Sequence, residues 1–199
     1  MLQRIGRALG RPAGAGAPKN PPPRQSAIKE EYRDVYEAYL TQKASSKIEP
    51  FLRLLYDNRL VEWGGNPRTS DLKTRIKIQK FVYFAQACFG LNFDYRHTLY
   101  IYGPYSPTLA NDYFCIQDIK DVPPGKPGSW SREGEFLGFA KRHNDVDWLE
   151  IASTLVYLRK RRGVPLDDLV ESAERIKYKF PHGRIKAACA ELQRAGLIK

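Results

Sequence analysis

The sequence of 199 residues predicts a mainly α-helical domain with one small β element. Three observations carry this expectation. Apolar residues recur at helical spacing in most segments between turn signals, a single short stretch alternates as a strand does, and Gly and Pro gather in a few connectors.

The first 27 residues are rich in Gly, Ala and Pro, and they carry Arg4, Arg7, Arg11, Lys19 and Arg24 without an acid. Such a segment lacks the apolar surface to order itself and reads as a disordered basic arm. Two readings compete with it: a transit-like presequence, because Leu2, Ile5 and Leu9 form a stripe, and a start-site extension of no consequence. The main body is expected over residues 28–163. Residues 28–40 form a predicted helix with Ile28, Tyr32, Val35, Tyr36 and Tyr39 on one face, and a second helix is expected from Ile48 to Trp63 through Phe51, Leu54 and Leu55. Gly64-Gly65-Asn66-Pro67 is a loop without the Lys-Ser/Thr of a phosphate-binding loop.

The central stretch, Thr74 to Ser106, holds the clearest signals. Phe81, Val82, Phe84, Ala85, Cys88 and Phe89 are spread around most of a helix, which predicts a buried one, and Gly90 stops it. Thr98 to Tyr102 reads as a strand with Leu99 and Ile101 on one face, broken by Gly103-Pro104. Ser106-Pro107 is a capping hydroxyl followed by a first-turn proline, so another helix starts there and turns Leu109, Tyr113 and Ile116 inward. Residues 122–129 are a Pro/Gly connector. Helices are expected at 132–142 and 148–160, with Asp147-x-x-Glu150 as a capping box. Beyond Pro165, Leu166, Leu169, Val170, Ala173 and Ile176 match the spacing of Ile185, Ala188, Cys189, Leu192 and Ala195. Residues 164–199 are therefore expected to be a helix-turn-helix-like pair packed on the body.

Thr74-Arg75, Ile78-Gln79-Lys80-Phe81-Val82-Tyr83, Tyr102-Gly103-Pro104-Tyr105-Ser106, Leu109 and Asp112 together resemble the YwgA-like family of small prokaryotic proteins. More distantly they are similar to the Panacea domain of SocA-type antitoxins. The resemblance covers residues 49–118, and it implies a mostly helical protein of winged-helix or helix-turn-helix character.

Net charge is +11, and the chain without its first 27 residues is still about +6, which suggests a polyanionic partner. The expected function is non-enzymatic contact with DNA or RNA. One basic cluster is Arg159, Lys160, Arg161 and Arg162 at a helix end; the other is Arg175, Lys177, Lys179, His182, Arg184 and Lys186, without an acid among them. The bland alternative is a two-helix cap with its polar face in water. A second function class is a protein-binding antitoxin or adaptor module, for which a toxin is one kind of partner. Its pocket would be formed by Arg75, Gln79, Tyr83, Tyr102, Tyr105 and Ser106, unless Arg75 and Gln79 simply bond the turn and fix the fold.

His97, His143 and His182 are scattered, no nucleophile or metal spacing stands out, and neither cofactor nor metal is expected; Asp94, His97 and Asp112 stay open as a cluster that only folding could assemble. Cys88, Cys115 and Cys189 are odd in number, far apart and on predicted apolar faces, as in a reduced cytoplasmic protein. No run approaches the ~18 apolar residues that span a bilayer.

Overall fold

The structure is a computed structural model that describes residues 48–63, 71–116, 118–125 and 127–199. The expected basic arm, the helix at 28–40 and the loop at 64–67 lie outside these residues. Seven α-helices and one two-stranded antiparallel sheet account for the regular structure among them.

Helix α1 (Ile48–Asp57) buries Ile48, Phe51, Leu52 and Leu55. It ends six residues before the expected Trp63, because Arg59 takes a left-handed conformation (φ 56°) and turns the chain. Arg53 then ties this helix to the turn at 119–121, donating to the carbonyl oxygens of Lys120 and Val122 at 3.0 and 2.8 Å.

Helix α2 (Leu72–Cys88) starts at Asp71, whose carboxylate accepts from the Thr74 amide at 2.6 Å. It is buried on nearly every side, as its apolar circumference predicts. Gly90 follows with φ 75°, the left-handed geometry that favours glycine. Around α2 stand Phe51, Phe93, Trp130, Phe136 and Phe139, whose ring centroids lie about 5–6 Å from one another or from Phe81, Phe84 and Phe89.

The β element corrects the expected single strand. Strand β1 (Thr98–Tyr100) pairs with β2 (Gly103–Tyr105), so Gly103-Pro104 forms the return strand of a hairpin. Ile101 and Tyr102 make its two-residue turn, which leaves Ile101 60% exposed, so it no longer continues the strand face that the alternation gave it with Leu99. Ser106 caps helix α3 (Pro107–Cys115) as expected, accepting from the Leu109 amide. Cys115 is exposed, and all three cysteines are free.

Helix α4 (Glu133–Arg142) leads to helix α5 (Val146–Arg162), which packs against α2, β2, helix α6 (Leu166–Ile176) and helix α7 (His182–Arg194). Helices α6 and α7 turn Leu169, Ala173, Ile185, Ala188, Cys189 and Leu192 inward, following the spacing read from sequence, whereas Ile176 and Ala195, the last residues of the two series, are exposed. The expected capping box is not formed. Asp145 is the N-cap, accepting from the Trp148 amide at 2.8 Å, and Glu150 lies one turn inside with 1% of its surface exposed. The box requires a Glu or Gln at the third helical residue; with the cap at Asp145 that place is taken by Trp148, and Glu150 lies beyond it.

Gly103 is where hairpin and α5 meet. Its φ is 87°, and a Cβ there would stand 2.9 Å from Thr154 Oγ1, 3.2 Å from Ser153 Oγ and 3.3 Å from the Glu150 carbonyl oxygen. Gly103→Ala should therefore lower unfolding free energy by about 2 kcal/mol or more. Chemical denaturation beside Gly134→Ala, which meets nothing within 4 Å, checks this.

Candidate binding site

Two buried networks hold the hairpin. In the first, Gln79 of α2 donates to the Ser106 carbonyl oxygen at 3.0 Å while its own amide oxygen accepts from the Ser106 N–H at 2.9 Å. In the second, Glu150 divides its carboxylate between Lys177 at 2.8 Å and Lys179 at 2.9 Å. Lys177 also donates to the Ile101 carbonyl oxygen at the hairpin turn, at 2.7 Å, and Lys80 donates to that of Pro104, also at 2.7 Å. Burial, reinforced by the charge of Lys177, lowers the Lys80 ammonium to about 7. Burial and then the nearby Lys80 push His97 down to about 3, so its imidazole is neutral.

Beside the hairpin opens a cleft of about 260 Å³. Its cations are Arg75 and Lys80, and Tyr100, Tyr102, Tyr105 and Tyr113 wall it. Leu72, Ile76 and Phe114 complete an apolar lining that, among the described residues, contains no carboxylate. Arg75 Nε is buried without a hydrogen-bond partner among the described residues. Burial raises the Tyr105 and Tyr113 hydroxyls, while Arg75 close by partly offsets it.

Of the six pocket residues read from sequence, Arg75, Gln79, Tyr102 and Tyr105 line this cleft. Tyr83 is buried elsewhere, edge-on to His97 with ring centroids 5.1 Å apart, and Ser106 is occupied by Gln79 and by capping α3. The basic residues are dispersed. Arg159 to Arg162 end α5, where Arg159 donates to the Val164 and Lys199 carbonyl oxygens and Lys160 to that of Ala87. The others lie toward the start of α5, on the order of 15–25 Å away by helix rise. Most have acidic partners: Arg175 with Glu171, His182 with Glu174, and Arg184 with Asp145 and Asp147. Lys186 is exposed. Lys177, expected as a phosphate contact, is 2% exposed and held by Glu150, so the interior rather than a ligand takes its charge.

Asp94 bonds to Asn92, and Asp112 accepts from the Tyr95 hydroxyl at 2.5 Å. Among the described residues no three His, Cys, Asp or Glu side chains group to hold a metal ion, and no helix is long and apolar enough to cross a membrane. A second cleft mixes Glu62, Asp71, Asp145 and Asp147 with Lys73 and Lys77, and its two cap aspartates are engaged with their own helices.

Sequence reasoning missed Glu150 as a buried anion and Lys80 as a buried cation. A charge on an otherwise apolar helix face was the available signal, and for Lys80 the aromatic run around it was the clue. The chain was compared with protein-family models, with curated proteins and with solved structures, and it matches none of them.

Removing Glu150 leaves Lys177 buried and unpaired, and breaking such a pair costs about 3–5 kcal/mol. Glu150→Leu should lose that much, and Glu150→Leu with Lys177→Met should recover a large part of it in denaturant titrations. Lys80 sets a pH dependence of known sign. Between about 7 and its ordinary 10.5 the unfolded chain binds a proton that the folded chain does not, so stability rises with pH across that window. From pH 7 to 9 wild type should gain on Lys80→Met by up to about 1.4 kcal/mol per pH unit.

Proposed function

We propose that this chain is a non-enzymatic protein-binding module of adaptor or antitoxin type, and that it docks through the hairpin and the cleft beside it. One observation carries the reading. The large apolar side chains exposed among the described residues are Leu72, Tyr100, Ile101, Ile176 and Tyr178, each in the hairpin, in the cleft beside it or next to Lys177, which bonds to the hairpin turn. Leu72 and Tyr100 line the cleft. Ile101 is at the turn, and the Lys177 bond to its carbonyl oxygen brings Ile176 and Tyr178 to the same place. Tyr178 is 88% exposed and Ile101 60%. Large apolar groups collected on one surface, with charges at the rim, mark a contact with another protein. The positive charge of Arg75 and of the whole chain suits an acidic partner.

The resemblance to the YwgA-like and Panacea proteins agrees with this choice, and three free thiols agree with a cytoplasmic setting. Winged-helix character and DNA or RNA contact belong to the rival reading. It rests on the paired helices α6 and α7 and on exposed Arg161, Arg162 and Lys186. Carboxylate partners on Arg175, Lys177, Lys179, His182 and Arg184 weigh against it, because a phosphate would have to displace them.

A photo-crosslinking residue at Ile101 or Tyr178, introduced into the full chain in the cells that make it, should capture the same protein from both positions, and one at Lys141 should not. The purified partner should then lose at least about tenfold in affinity with Ile101→Ser and Tyr178→Ser combined. In parallel, duplex DNA and structured RNA are titrated over a salt series. Binding with a slope of several ions that falls in Arg161→Ala and Lys186→Ala, without a common crosslinked protein, would favour the rival reading.

A further inference from the structure

We propose that the cleft beside the hairpin receives the C-terminal residue of the partner protein, with its terminal carboxylate on Arg75 and its apolar side chain among Tyr100, Tyr102 and Tyr105. This rests on the protein-binding reading above and specifies what enters the cleft.

Arg75 supplies the argument for a carboxylate. Its Nε is buried and without a hydrogen-bond partner among the described residues. A buried donor left so is unfavourable, and an acceptor that reaches it on binding relieves the cost. The guanidinium presents its donors as a planar fork that matches the two oxygens of a carboxylate. Among the described residues no carboxylate lines the cleft to compete for it. Lys80 is drawn away to the Pro104 carbonyl oxygen, which among the described lining residues leaves Arg75 as the cation available to a ligand. One guanidinium suits a singly charged carboxylate better than a phosphate, which would bring nearly twice the charge.

Size and lining supply the argument for a chain terminus. At about 260 Å³ the cleft lies below the range of sites for drug-sized ligands and has room for little more than one residue. A terminal residue carries its carboxylate and its side chain on the same Cα, so it meets the guanidinium and the aromatic walls together. An internal Asp or Glu brings the carboxylate without the apolar group, and an internal Leu or Phe does the reverse. Leu72 at 46% exposure, with Tyr100 and Ile101, provides apolar surface for the residues that precede the terminus.

The test titrates three dipeptide probes into the full-length isotope-labelled chain and reads amide chemical shifts. They are acetyl-Leu-Phe with a free carboxylate, the same peptide as its C-terminal amide, and acetyl-Glu-Phe amide, which carries its carboxylate on a side chain. The free acid should saturate with shifts centred on Arg75 and Tyr100 to Tyr105, and the other two should bind at least about tenfold more weakly. Arg75→Gln should remove the preference. Should that variant not fold, Leu72→Asp serves instead, since it sits at an exposed position and should repel the free acid selectively. Equal binding of acid and amide, equal binding of the side-chain acid, or no binding at the cleft up to ~10 mM overturns the proposal. None of these outcomes touches the crosslinks from Ile101 and Tyr178, so failure here and failure of the protein-binding reading are told apart.

Discussion

The buried carboxylate of Glu150 is the interaction on which the rest of the structure depends. It joins the N-terminal half of α5 to the connection between α6 and α7 through Lys177 and Lys179. Lys177 reaches onward to the hairpin turn, and the Glu150 carbonyl oxygen accepts from Ser153 and Thr154, the side chains against which Gly103 rests. Three segments distant in sequence therefore meet at one anion. Desolvating a carboxylate is unfavourable by several kcal/mol, and two ammonium groups with complementary hydrogen bonds offset that in part. The arrangement contributes position more than stability: the hairpin can occupy only the place where Lys177 satisfies Glu150 and Ile101 together.

That constraint also changes the meaning of the positive charge. The surplus looks like an outward-facing feature in the sequence, yet Lys80 and Lys177 point inward and serve carbonyl oxygens and Glu150. Several of the remaining cations near α7 face acids on α5 or α6. What the charged network leaves outside is its apolar boundary, from Leu72 to Tyr178, together with the single guanidinium of Arg75 in an aromatic cleft. The surface suited to a partner and the network that shapes the hairpin are two sides of the same construction.

Much of the fold was legible because its signals are local. Asp71, Ser106-Pro107 and Gly90 act within one turn of their own positions, and the two C-terminal helices keep the register of their apolar residues. The misreadings share a physical origin. Asp147-x-x-Glu150 has the spacing of a cap, but the helix already starts at Asp145, which caps the Trp148 amide, so Glu150 lies within the helix and faces inward. Thr98 to Tyr102 alternates like one strand, yet the chain reverses at Ile101 and Tyr102, and Gly103-Pro104 completes the pair. Of the candidate site, Arg75, Gln79, Tyr102 and Tyr105 share one cleft, while Tyr83, equally prominent in the pattern, faces His97.

The sequence by itself determined the helical class, the positions of most helices and the apolar faces they bury, because hydrophobic periodicity, caps and breakers act over a few residues. It also determined that the chain carries more positive than negative charge. Only the tertiary structure decided where those charges go. Whether a lysine meets solvent or a buried carboxylate depends on segments such as Lys80, Glu150 and Lys177, which lie tens of residues apart along the chain. Burial and pairing are properties of their packing, and no local pattern encodes them.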